Sequence, residues 1–135
     1  MKPHVLKFHF PMPPNRANAR GHWRKHHRGM TAYYSQLDAL LMFRRLPKPP
    51  RTPYGEVRAT ATLHLYNLMD QGNALNRLKW IEDWLVSRDY VVDDSPKHFT
   101  YTGLPTQVID RKNQRIELEL SPVGVVEDDR GPEAA

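Results

Sequence analysis

From Val5 to Phe10 the chain alternates, with Leu6, Phe8 and Phe10 on one side and Lys7 and His9 on the other. That period of two predicts a half-buried strand over residues 5–10. Pro11, Pro13 and Pro14 end it, because proline locks φ and removes a ladder donor. Residues 16–30 are polar, basic and glycine-containing and are expected to form a loop. Thr31 can cap a helix whose apolar face is Tyr34, Leu37 and Leu41, with Leu40 and Phe43 beside it. Residues 46–53 hold four prolines and predict a stiff, extended connector. Alternation returns over residues 57–66, where Val57, Ala59, Ala61, Leu63 and Leu65 share one side of a second strand. A helix over residues 73–88 follows, with Ala74, Leu78, Ile81 and Leu85 as a stripe that packs on the sheet. Residues 99–109 and 115–120 predict a closing hairpin around Asp110, Arg111, Lys112 and Asn113. The order β, α, β, α, β, β predicts an α+β fold: one small domain over residues 1–122, with helices on one face of a mixed sheet. Residues 123–135 are expected to be an acidic, frayed tail.

The chain has 135 residues, which suits one domain with a core of its own. It has no cysteine, which excludes disulfides, thiolate metal sites and a cysteine nucleophile. No apolar run approaches the roughly 20 residues of a membrane span, and the N-terminus lacks the apolar run and cleavage site of a signal peptide. A soluble protein of the cytoplasm is expected. The net charge of +5 is unevenly spread. Residues 1–55 carry 11 lysines and arginines against the lone Asp38, while the remainder holds the other 14 acids. A basic half joined to an acidic half suggests a polyanion gripped by one part and chemistry or a metal held by the other. A solvated basic face is the bland alternative.

The candidate chemistry lies in residues 69–94. Asn76, Lys79 and Asp83, spaced i, i+3 and i+7, share a flank beside the apolar stripe. Asp70 stands where the second strand meets the helix, and Asp93 and Asp94 follow the helix after Val91 and Val92. Convergence of these acids requires Tyr90, Val91 and Val92 to return along the helix. Phosphodiester hydrolysis needs a cation to polarise the phosphoryl oxygen and activate water. Mg²⁺ takes one or two carboxylates plus substrate oxygens and waters, and a lysine can neutralise developing charge. Asp70, Asp94 and Lys79 can supply these parts. The same residues can equally be a helix cap, a turn before Ser95-Pro96, and a solvated lysine paired with Asp83. His22, His26 and His27 have a zinc-like spacing, but Arg24, Lys25 and Arg28 among them repel a cation. Phosphate contact by that segment, with Trp23 stacking, is the stronger reading. Trp80 and Trp84 fall off the stripe and are expected either in the core or at a dimer contact.

The chain resembles RusA-like Holliday junction resolvases. Asn76, Lys79, Asp83 and Leu85 fit the family's helical Asn-x-x-Lys-x-x-x-Asp-x-Leu, and Asp93-Asp94 falls at the family's distance beyond it. The opening strand ends in Pro11, Pro13, Pro14 and Asn15, as the family's does, before an arginine-rich segment. One departure stands out. The family has Asp-x-Asp-Asn ahead of this helix, and an alignment with a three-residue insertion keeps Asp70 but puts Gly72 at the second aspartate. Without a gap, Asn73 and Leu75 fall at the two acids. The resemblance implies a Mg²⁺-dependent endonuclease, with Mn²⁺ as the alternative ion, that resolves four-way junctions in DNA recombination and repair as a homodimer. It implies Asp70 and Asp94 as metal ligands, with Asp93 available to fill in, and Lys79 as the catalytic cation. Arg16, Arg20, Arg24, Lys25 and Arg28 become the DNA clamp, and Asp83 and Asn76 structural. The departure leaves a second reading: a branched-DNA-binding protein on the same fold whose metal site has decayed.

Overall fold

The computed structural model describes residues 5–14 and 23–124, and of residues 23–26 the backbone alone. β1 (Leu6–Pro11) leads to α1 (Trp23–Met42) and β2 (Val57–Leu65). α2 (Gln71–Ser87) is followed by β3 (Phe99–Tyr101), β4 (Thr106–Ile109) and β5 (Arg115–Pro122). The five strands form one mixed sheet in the order β1-β5-β2-β3, with β4 also pairing β2. The architecture is α+β.

Alternation decides which face is buried. Leu6, Phe8 and Phe10 of β1, the odd positions from Val57 to Leu65, and Ile116, Leu118 and Leu120 of β5 all turn inward. The helices cover that face. Phe10 meets Trp84 edge-on at 6.1 Å between centroids, and Phe8 meets Tyr90 at 5.3 Å. Lys7, His9, Arg58, Thr60 and Glu119 point outward on the uncovered face. In α2, Ala74, Leu78, Ile81 and Leu85 are buried as the stripe predicts. Trp80 and Trp84 are buried as well, so the covered arc is wider than one stripe and both indoles belong to the core.

Five expectations need correction. α1 begins at Trp23, eight residues before Thr31, so Arg24, Lys25 and Arg28 lie on a helix rather than a loop. Its polar first turns hide the helical period, and Gly29 there suits the close approach of Trp80, whose Cη2 would lie 3.5 Å from an added Cβ. The core tyrosine of α1 is Tyr33 and not Tyr34, its hydroxyl donating to the Pro11 carbonyl at 2.7 Å. Phe43, placed beside the apolar face by sequence, is exposed. The expected hairpin does not form. β4 pairs parallel with one edge of β2 and β5 pairs antiparallel with the other, so β2 lies between them. The turn chemistry is nonetheless local and real: Asp110 Oδ1 accepts from the amides of Lys112 and Asn113, each at 3.2 Å. Five residues can step over one strand, since two strand spacings amount to about 10 Å and an extended residue spans about 3.3 Å. The predicted strand over residues 99–109 is also broken. β3 ends opposite Ala59 and β4 starts opposite Thr62, leaving extra residues around Gly103 and Pro105.

β5 runs to Pro122, and Val123 donates back to the Glu56 carbonyl at 3.0 Å. From residue 125 the expected tail lies outside the described residues. No described helix is long and apolar enough to cross a membrane.

Candidate functional site

Two helices running side by side in the same direction set up the site. Gly29 and Tyr33 of α1 lie against Trp80, and Asp38, further along α1, bonds Trp84 and Arg88, further along α2. The N-termini of α1 and α2 therefore point to the same end of the domain, as do the C-terminal ends of β1 and β2. Arg77 ties this end together, Nη1 donating to the Pro13 carbonyl at 2.6 Å. Helix N-termini carry partial positive charge that favours anions. Arg24 and Lys25 belong to the first turn of α1 and Arg28 is exposed in the next, so the described part of the sequence's DNA-binding set is at this end. Arg16 and Arg20 lie outside the described residues, as does His22.

Asp70 caps α2. Its Oδ1 accepts from the Asn73 amide at 2.9 Å and its Oδ2 from Asn73 Nδ2 at 3.2 Å. An unpaired amide in the first turn of a helix needs such an acceptor. The preceding residue is pinned on both sides: the Met69 amide donates to Gln107 Oε1 at 2.8 Å, and Gln107 Nε2 donates to the Met69 carbonyl at 2.9 Å. Gln107 of β4 thus sets where the strand–helix junction stands, and sequence reasoning did not single it out. An added Cβ at Gly72 would lie 3.3 Å from Asp70 Oδ1.

The second group gathers midway along α2. Beyond the helix, Tyr90 and Val91 return, buried, beside Tyr54, whose amide donates to the Tyr90 carbonyl while Val92 donates to the Tyr54 carbonyl, both at 3.0 Å. This turn back brings Asp94 to Lys79, with Nζ 2.6 Å from Oδ2. Asp83, one turn further along α2, lies 3.2 Å from the same ammonium. The Asp94 and Asp83 carboxylates raise the Lys79 pKa, and the Lys79 ammonium holds Asp94 below the usual carboxylate range. Both groups stay partly open, at 43% and 26% exposure. Glu82 and Tyr101 complete the surroundings, the Tyr101 hydroxyl donating to Glu82 Oε2 at 2.6 Å. Burial raises the Glu82 pKa, against the lowering pull of the Tyr101 hydrogen bond and the Lys79 charge. Neither Glu82 nor Tyr101 was singled out from sequence; nothing in the spacing places a β3 residue against α2.

The structure therefore brings Lys79, Asp83 and Asp94 together. Asp70 heads the same helix, nine residues before Lys79, a rise of about 13 Å at 1.5 Å per residue. Asp93 is exposed beside Asp94, and Asn76 is half-buried between the two groups along α2. Among the described residues no three acidic or histidine side chains are gathered as a metal-holding group. The donor chemistry suits Mg²⁺ in type: these are carboxylate oxygens, and Mg²⁺ is commonly held by one or two of them with substrate oxygens and water. An ionised Asp94 and a charged, partly open Lys79 offer a ligand oxygen and a phosphate-seeking cation side by side. Compared with known proteins, the chain matches no family model and no curated protein.

Proposed function

We propose that this protein is a Mg²⁺-dependent endonuclease acting on branched DNA, of the kind the likeness to RusA-like resolvases implies, and that it works as a homodimer. The observation that carries the reading is the meeting of Lys79 with Asp94, 15 residues apart in the chain, beside Asp83. These are three of the positions that the resolvase motif singles out. The basic end of α1 supports it by placing cations at the same end as Asp70. Asp94 would hold the ion, which would supply charge for the phosphoryl oxygen and a more acidic water; Asp70, about 13 Å of helix rise from Lys79, would join it only after leaving Asn73 and moving toward that group. Lys79 remains protonated and can shift from Asp94 to a non-bridging phosphate oxygen, neutralising charge as it builds. Asp83 holds the ammonium in place. A two-fold dimer suits a junction with its own two-fold symmetry.

The test is a labelled four-way junction and a linear duplex, each with Mg²⁺, with Mn²⁺ and with neither. Ion-dependent paired cuts in the junction are expected. Asp94→Asn should abolish cutting and leave junction binding intact or tighter, and Lys79→Ala should lower cutting by about 10²-fold or more with a smaller effect on binding. Tight junction binding by wild type without ion-dependent cutting would overturn the nuclease in favour of a DNA-binding protein. One observation favours that second reading: both Asp70 oxygens are already bonded to Asn73.

A further inference from the structure

We propose that the segment leaving α1 is a second nucleic-acid contact, in which Arg45, Lys48 and Arg51 take the phosphates of one strand and Phe43 packs on a base or sugar. The inference rests on the branched-DNA reading and deepens it. Met42 and Phe43 are 77% and 73% exposed at the end of α1, past the turns that bury Tyr33 and Leu37. Beyond them, Arg44, Arg45, Lys48 and Arg51 are exposed, while Leu46 and Pro50 are buried. Lys48 stands in the proline-rich stretch between them, and Arg45 and Arg51 stand at bends on either side of it. None of Arg44, Arg45, Lys48 and Arg51 is ion-paired with another described residue. No acid occurs in the sequence between Asp38 and Glu56.

The segment is also held in place. The Tyr90 hydroxyl donates to the Pro47 carbonyl at 2.5 Å, Leu46 is in the core, and Tyr54 pairs with Val91. A preordered cationic ridge loses less entropy on binding a strand than a loose one. Arg44 stands at φ 60°, where helices usually place glycine. A cation near a helix C-terminus offsets the dipole, which accounts for Arg44 or Arg45 but not for Lys48, Arg51 or the bare Phe43. The complement of four cations with no ion pair among the described residues, beside an aromatic ring, is a strand of phosphates and stacked bases. α1 spans about 30 Å from its basic N-terminus to this ridge, close to the roughly 34 Å of one duplex turn.

Affinity for a four-way junction, a linear duplex and a single strand would be measured across a salt series. The proteins would be wild type, Arg45→Gln/Lys48→Gln/Arg51→Gln, Phe43→Ala and Arg28→Gln, with thermal unfolding of each as a check on folding. The triple variant should flatten the log–log salt slope by about 2 to 3, at about 0.9 per lost phosphate contact on duplex. Phe43→Ala should weaken binding several-fold with the slope unchanged. If wild type binds and the triple variant shows the same affinity and slope, this contact is overturned while the proposed function stands. If wild type binds no DNA, both fall. Retention on phosphatidylglycerol vesicles that is lost in the triple variant, with DNA binding unaltered, would assign the ridge to a membrane surface and overturn the proposal.

Discussion

Asp38 is the lone acid of residues 1–55, and it joins the two helices. Its carboxylate takes the buried Trp84 indole N–H at 2.9 Å and two bonds from Arg88, each at 2.8 Å. The first half of the chain thereby keeps no acid free to oppose a polyanion. Gly72 is informative for the opposite reason, since it carries no charge where the resolvase motif has its second aspartate under the gapped alignment. Its open side faces Asp70 Oδ1. Gly72→Asp should set two carboxylates together and destabilise the protein by a few tenths to about 1 kcal/mol without divalent ion. Mg²⁺ at about 100 times its Kd would return roughly 2.7 kcal/mol. Thermal unfolding with and without Mg²⁺ reads both terms. Leu75→Asp, the restoring change under the ungapped alignment, lies at an exposed position of α2. A Mg²⁺-dependent gain there, with none in Gly72→Asp, would place the missing acid at residue 75.

At the scale of elements, the two helices end alike. Arg45 donates to the Leu40 carbonyl and Arg44 to Leu41, while Tyr90 donates to Leu85 and Asp89 to Val86. Each is the paired closing bond of a Schellman turn, with Arg44 and Asp89 at positive φ where glycine is usual. Gly29 of α1 faces the Trp80 side chain of α2, and the space beside it decides a stability prediction. A methyl at 3.5 Å from Trp80 Cη2 is an ordinary contact, and glycine inside a helix costs about 1 kcal/mol relative to alanine. Gly29→Ala should therefore raise stability by up to about 1 kcal/mol. Gly29→Leu should lower it by about 1–3 kcal/mol through overpacking on the indole. Urea unfolding of the two variants checks both signs. A loss in Gly29→Ala would mean that the Trp80 indole sits too close to residue 29 for a methyl to fit.

For the whole molecule, the tertiary ion pairs and buried tyrosines set the pH range of stability. Arg88 and Lys79 hold Asp38 and Asp94 below the usual carboxylate range. Groups depressed in this way stabilise the fold above their unfolded pKa of about 4, and that contribution is lost as pH falls through the lower folded value. Glu82, raised by burial, works the other way, its effect fading as the solution becomes acidic enough to protonate it in both states. Burial pushes the Tyr33, Tyr90 and Tyr101 hydroxyls up, with Glu82 adding to Tyr101, and Asp94 pushes Lys79 up. Raised groups stabilise the fold below their unfolded values of about 10 and cease to do so as pH rises through the folded ones. Urea midpoints should form a plateau from about pH 5 to 9 and fall on both sides. A midpoint that holds steady from about pH 5 to 3 would show that the Asp38 and Asp94 pairs do not persist in solution.

The sequence by itself determined what is periodic. Alternation in β1 and β2 and the stripe on α2 identified buried side chains correctly, because a period of two or 3.6 states which face is apolar whatever lies opposite. Lys79 and Asp83 were legible as neighbours for the same reason. Tertiary structure alone decided the rest. The first turns of α1 carry no apolar period and are held helical in a position where Gly29 admits Trp80. β4 and β5 look like neighbours in sequence, yet each finds a better partner in β2, since backbone hydrogen bonds do not record which strand supplies them. Asp94 reaches Lys79 through the Tyr54–Val91 pairing, and Tyr101 and Gln107 enter the site across distances in the chain that no spacing rule spans. Contacts of that kind depend on which apolar faces meet, and the chain states its faces without stating their partners.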